Sequence, residues 1–469
     1  MSARVGLRAR VSGVALVRSL AWVAGLCVQL VSAPDATANG RLPAANQLLF
    51  SRSDASLVVL RTTFGILVSR DGGGTWAWLC EDVLGISSGS TEDPSLAIPA
   101  NGNLVAGFSG GLSLSSDVGC NWRFAGGPLA NQFVADLAVR PEAPDVILAL
   151  TSTYHRAVAD DSAGYAQQVL ESTDDGVDWV ARGSPIDPSA LVTALETAAT
   201  DPRRIYVSAR RAAAVPTGSL FVSSDGGATW VERPVALDPN GRESSIYIAA
   251  VDPTKADRVY LRTSAQTTLS NGLGGQPSRL LVTDDGGLTF RAVLSLTSQM
   301  LGFALSPDAS LVYAGSVEDG LLVAGAADLS FQKVSSIHVK CLATHGSDLW
   351  ACSDDATGFL AGVSTDGGAT FVAKARLQAQ PMLMCAGDAT ASVQCSGDPR
   401  TMFCRSLPGC DPDGGGAAAS GGGATAHAPP SHKGCGCSMA PNVDAVPCGP
   451  SCVLVGVAIV RRRARRRAG

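Results

Sequence analysis

Residues 69–76 read SRDGGGTW, and the same eight-residue pattern returns as SSDVGCNW at 115–122, STDDGVDW at 172–179, SSDGGATW at 223–230, TDDGGLTF at 283–290 and STDGGATF at 364–371. Each copy keeps a hydroxyl first, an aspartate third, a glycine fifth and an aromatic eighth: Asp71 with Trp76, Asp117 with Trp122, Asp174 with Trp179, Asp225 with Trp230, Asp285 with Phe290, and Asp366 with Phe371. A decayed seventh copy, AGAADLSF at 324–331, retains Ser330 and Phe331 but has Ala326 in the aspartate position. Successive copies start 46, 57, 51, 60, 41 and 40 residues apart, room for about four short strands and their turns.

The chemistry of one copy dictates a turn. An apolar run precedes it (GILVS, SLFVS, RLLVT), and a second begins at its aromatic, so the copy connects two antiparallel strands. Asp and the hydroxyl can accept backbone N–H groups inside the turn, Gly takes positive φ without a Cβ clash, and the ring anchors the returning strand in the core. A second signal lies upstream, where Ala138, Ala199, Ala250 and Ala304 each precede a proline by three residues (Pro141, Pro202, Pro253, Pro307). That is strand, proline turn, strand. Each unit therefore reads as strands A, B, C and D, and such sheets stacked radially make an all-β propeller, of seven blades if every blade carries one box and otherwise of six or eight.

The eight-residue copies resemble the Asp-box, or BNR, repeats of sialidases, sortilin-type receptors, xyloglucan-cleaving hydrolases and photosystem II assembly factors, over residues 44–376. The resemblance implies that the boxes lie on the face opposite the usual ligand site and that their Asp and aromatic residues are structural. Calcium is the rival use of the repeated aspartates, but one carboxylate per turn falls short of an oxygen cage. No cofactor is expected.

Outside the repeats, residues 1–38 read as an export signal: Arg4, Arg8, Arg10 and Arg18 precede the apolar run Leu20 to Val31, and Ala36-Thr37-Ala38 supplies a small-residue cleavage site. The remaining organisation is a propeller at 39–376, a Cys-rich collar at 377–410, a Gly/Ala/Pro linker at 411–433 too poor in large apolar groups to fold, and a tail at 434–469. The formal charge is −5, but the terminal run RRRARRR and the leader carry much of the positive charge, leaving −14 on residues 39–460. An acidic body repels phosphate, which argues against a nucleic-acid partner. Abundant Gly (52) and Pro (25), with 33 Asp against 8 Glu, agree with a chain of tight turns and few helices.

The tail holds Cys435 and Cys437 in a GCGC motif, an apolar run from Cys452 to Val460 and the arginine cluster. It resembles the myxobacterial C-terminal sorting signal, which implies a Gram-negative cell-surface or outer-membrane location, with the membrane contacted through the tail and processing near the cysteines. Pro447 and Pro450 depart from that pattern, and the clean apolar part is shorter than the ~20 residues a spanning helix needs. Zinc binding by His427, His432, Cys435 and Cys437 is disfavoured by the flexible linker and the export context. Thirteen cysteines less Cys27 of the leader leave an even twelve, suited to disulfides. In IHVKCLATHGSDLWACS the hairpin turns at Gly346-Ser347, so Cys341 faces Cys352 and the two are expected to be bonded. Cys80, Cys120 and the collar cysteines cannot be paired from spacing.

For catalysis, Asp136 and Glu196 start the A strands of units three and four. They lie five and six residues before Pro141 and Pro202, so alternation sends them to opposite faces. No arginine triad of the sialidase kind is evident. For binding, the B–C loops of units three to five are the long ones: 152–167 with Tyr154, His155, Arg156, Asp160, Asp161 and Tyr165; 210–218 with Arg210 and Arg211; and 264–278 with Gln266, Asn271 and Gln276. They crowd one sector of the face away from the boxes, where polar and aromatic groups suit a glycan or a protein. The expectation is an exported, monomeric, non-catalytic recognition propeller; the alternative is a glycan-active hydrolase.

Overall fold

A computed structural model describes residues 43–86, 92–155, 164–211, 217–238, 243–265, 277–377 and 380–395. Their twenty-eight strands form seven four-stranded antiparallel sheets, each in simple A-B-C-D order. The blades span 45–79, 95–124, 134–186, 190–235, 243–296, 300–335 and 341–375. Blade order follows the chain. Neighbouring blades meet through their A strands, and the A strand of blade one (Ala45–Phe50) lies against that of blade seven (Cys341–His345), where the Ala45 N–H donates to the Ser353 carbonyl at 3.1 Å. The ring thus closes without any strand passing from one end of the chain into the sheet of the other.

Packing explains the hydrophobic pattern. The B and C strands lie in mid-sheet between two blades, so runs such as Val58–Thr62 and Gly65–Ser69 are buried almost throughout, whereas the outer D strand Arg123–Phe124 is exposed. Apolar layers fill the gaps between successive blades, as where Tyr206 of blade four is wholly buried and donates its hydroxyl to the Ala256 carbonyl of blade five at 2.7 Å. Arg140, at the proline turn of blade three, is likewise buried and donates to the Pro202 carbonyl of blade four.

In blade one, the Ser69 hydroxyl donates to Asp71 and accepts the Gly73 N–H, while the Thr75 N–H and hydroxyl both donate to Asp71, all between 2.7 and 2.8 Å. The same closed set recurs around Asp225, Asp285 and Asp366, around Asp117 with the Asn121 amide in place of the hydroxyl, and around Asp174 with the Val177 N–H in place of the side-chain donor. Thr75 and Ser69 hold Asp71 down to about 2. These carboxylates are committed to their own turns. Gly73 sits at φ 85°, and a Cβ there would run into the Trp350 ring of blade seven. Val118 and Asp175 hold left-handed positions where the other good boxes place glycine.

The box aromatics vary in depth: Trp76, Trp122 and Trp179 are buried, but Trp230, Phe290 and Phe371 are only half-buried. Trp76 and Trp230 donate to carbonyls of the preceding blade's D strand, Lys374 and Ser184.

Cys341 and Cys352 are register partners and form a disulfide. Two further disulfides, Cys80–Cys395 and Cys120–Cys385, carry the segment after blade seven back onto blades one and two. Residues 380–395, placed in a separate collar by the sequence, pack there against the core. The other collar cysteines, Cys404 and Cys410, and the tail with Cys435 and Cys437 lie outside the described residues.

Candidate functional site

Two regions gather chemistry. The first lies at the inner strands. Asp136, on the A strand of blade three (Val134–Val139), accepts from the Ser95 hydroxyl of blade two at 3.0 Å, its own neighbour Leu137 N–H at 2.9 Å, and the Leu195 N–H of blade four at 2.9 Å. One carboxylate therefore ties three blades together. Burial raises its pKa, against the opposing pull of those donors and of Arg61. Glu196 follows Leu195, and burial first, then the Asp136 charge, pushes it up to about 8. It is therefore largely protonated at neutral pH. Both side chains are half-buried, and water reaching them weakens these effects.

The alternation argument from the prolines fails here, for a specific reason. Ile147 and Ile205 both pair with the first residue of their box, Ser172 and Ser223, and so mark equivalent positions. Counted from them, Val139 matches Thr197, and Asp136 matches Ala194. Glu196 is two positions beyond that, so alternation puts the two acids on the same face. The blade-four turn reaches Ile205 three residues after Pro202, whereas Ile147 lies six after Pro141, so the prolines are not equivalent landmarks. A bulge at Thr197/Ala198 also lies between Glu196 and Pro202, inside the counted interval.

Two basic residues and a tyrosine near this cluster were missed. Arg61 and Arg262 occupy matching positions on the B strands of blades one and five, and each donates to a carbonyl on the inner edge of the next blade, Pro94 and Met300. Arg262 stacks over Tyr247, with its Cζ 4.9 Å from the ring centre, and has no carboxylate within ion-pair distance among the described residues. Burial lowers its pKa while Tyr247 and Asp136 raise it. The repeated Leu-Arg-Thr, 60–62 and 261–263, was the available signal.

The second region lies at the B–C end of blades three and four, away from the boxes. The blade-three B and C strands (Ile147–His155 and Gly164–Ser172) run nine residues each against five in blade one, so Tyr154 and Tyr165 are paired strand residues and the connection narrows to 156–163. Their ring centres are 5.3 Å apart, and Tyr154 is 57% exposed. Phe133, 39% exposed, stands beside the same end of the blade. Beneath them the buried Gln167 amide donates to the Asp187 and Ala190 carbonyls and accepts the Val192 N–H, locking blade three to blade four.

Arg210 and Arg211 are likewise strand residues, on Asp201–Arg211. Arg211 is spoken for: it bonds Glu232, Asp187 and Ser189. Those carboxylates hold it firmly charged, Glu232 foremost, and Arg211 in turn holds Asp187 down to about 2. The side chain of His155, and Arg156, Asp160, Asp161, Gln266, Asn271 and Gln276, lie outside the described residues. Among the described residues no group of three His, Cys, Asp or Glu could hold a metal ion.

Comparison with protein-family models and with curated proteins finds no match. Solved structures with a similar chain path include an ancestral GH74 enzyme (15% identity, 71% of this chain and 45% of that one, TM-score 0.46). Others are a GH74 enzyme from Niastella koreensis (14%, 70% and 71%, TM-score 0.30) and a β-propeller domain from Myceliophteria thermophila (11%, 66% and 93%, TM-score 0.41). This chain spans less than half the length of the first. The seven-bladed β-propeller rests on the strand topology of this chain.

Proposed function

We propose that this chain is an exported recognition propeller of Asp-box repeats that binds a glycan or a protein on the face away from the boxes, centred on blade three. The exposed Tyr154, set against Tyr165 on a hairpin that outreaches those of blades one and two, carries the reading. Rigid aromatic groups on a braced scaffold bind at small entropic cost. Saturation of the box carboxylates supports a structural role for the other face, and three disulfides suit an oxidising compartment. In this reading residues 434–469 hold the protein at a cell surface. Among the described residues no helix is long and apolar enough to cross a membrane.

Screening the purified protein against immobilised glycans and surface-protein extracts is expected to yield a ligand that Tyr154→Ala binds roughly tenfold more weakly, with melting temperature unchanged. Equal binding by the variant would reject the site. Removing residues 434–469 is expected to release protein into the medium with binding intact.

A glycan-active hydrolase remains the second reading, because Glu196 near 8 holds the proton a general acid needs. The commitment of both Asp136 oxygens to neighbouring donors weighs against it. Turnover of aryl glycosides that vanishes in Glu196→Gln would reverse the preference.

A further inference from the structure

Propellers must join the last blade to the first, and here no strand is exchanged to do so. The chain instead continues past blade seven across the seam. Residues 380–384 run along the outer edge of blade one, where Trp78 N–H donates to the Pro381 carbonyl at 2.8 Å, Leu383 N–H donates to the Trp78 carbonyl at 2.9 Å, and Met382 bridges Trp78 in parallel. Cys385 then bonds Cys120 in the box of blade two. A short helix, Thr390–Gln394, follows, with Thr390 N–H on the Asn121 side chain and Ala391 N–H on the Cys120 carbonyl. Cys395 finally bonds Cys80, at the end of the blade-one D strand. Ala391, Cys395 and Cys80 are all at most 2% exposed.

We propose that residues 380–395 are the clasp of the ring, a thiol-controlled strap that joins blade seven to blades one and two in place of strand exchange. Three observations converge. The two disulfides close loops with sequence separations of 315 and 265, nearly the whole propeller. The strap shares one apolar layer with blades seven, one and two, in which Leu377, Met382 and Leu383 pack against the core. Finally, the strap is hydrogen-bonded into the blade-two box itself, with Thr390 N–H on the Asn121 side chain and Ala391 N–H on the Cys120 carbonyl.

Each staple forms by exchange with an oxidant carrying a disulfide. One cysteine thiolate attacks the oxidant's S–S bond to give a mixed disulfide, and the second cysteine displaces the oxidant, which leaves as its dithiol with both electrons and both protons. Closure therefore belongs to an oxidising compartment and comes last, after residue 395 has emerged. Cleavage anywhere beyond Cys395 leaves the ring closed, so loss of the tail and opening of the ring are separate events.

Peptide mapping of the full-length protein under non-reducing conditions should recover Cys80 linked to Cys395 and Cys120 linked to Cys385; any other pairing of these four overturns the proposal. The decisive measurement uses Cys341→Ala/Cys352→Ala, which removes the local disulfide. Reduction of this variant, with release of the four clasp thiols verified by alkylation, is expected to lower its melting temperature by roughly 5–10 °C and to make residues 377–395 the first site of limited proteolysis. An unchanged melting temperature and cleavage pattern would refute the clasp. The response should disappear when Cys80, Cys120, Cys385 and Cys395 are all alanine, which separates it from the tail cysteines. If that variant does not fold, Cys120→Ala/Cys385→Ala should keep about half of it.

Discussion

Asp136→Ala is expected to destabilise the propeller by about 3 kcal/mol, because it strips acceptors from the Leu195 and Leu137 N–H groups and the Ser95 hydroxyl at a three-blade junction. Asparagine keeps one acceptor and should cost about half as much. Denaturant unfolding measures both, and a loss under about 1 kcal/mol for the alanine variant would mean that Asp136 is no clip. Glu196→Gln should act in the opposite direction, and only above about pH 4.5. The folded-state value near 8 lies above the ordinary 4.5, so the folded state is favoured while Glu196 keeps its proton and loses ground as pH rises between those values. Glutamine has no proton to lose. At pH 9 it should be about 1–2 kcal/mol more stable than the wild type, after allowance for water reaching this half-buried group, and equal to it near pH 4.

Arg279→Ala is expected to cost more, about 3–5 kcal/mol at pH 7, since it strands a buried charge. Glu243 is 4% exposed at the side chain and accepts two bonds from Arg279, one from the Thr263 hydroxyl and one from the Asp238 N–H. Burial would raise its pKa, but Arg279 and the other donors outweigh that and hold it below 4.5. In the wild type this contribution is complete above 4.5 and fades as pH falls through the lowered folded value. Without Arg279 the desolvation remains and Glu243 takes up a proton, so the deficit should shrink between pH 7 and pH 4.5. A deficit equal at both pH values would show that Arg279 contributes packing rather than charge. The pair sits at the start of blade five, at the same end as the loop after Ala265, on the face proposed for binding.

What was legible in the sequence was local. A box is eight consecutive residues whose hydrogen bonds close on themselves, so each copy announces its own turn and the two strands it joins. Even the Cys341–Cys352 disulfide follows from a short hairpin whose register is set by its turn. The aromatics were only partly readable, because burial of Trp76 or Trp230 depends on the blade next door. The phase of Asp136 against Glu196 was misread because Pro202 sits three positions later than Pro141 relative to the matched strand residues Thr197 and Val139.

The sequence by itself determined the repeating four-stranded units, their order, and a carboxylate committed to each of six turns, since these rest on contacts between residues a few positions apart, while the count of seven blades came from the strand topology. Only the tertiary structure decided which groups meet across blades: Asp136 with Ser95 and Leu195, Arg262 with Tyr247 and Met300, Cys80 with Cys395, and Cys120 with Cys385. The strap bonds span 265 and 315 positions and carry no periodic trace in the chain. They exist because closing the ring brings the last blade beside the first, and proximity created by closure cannot be read from neighbours along the backbone.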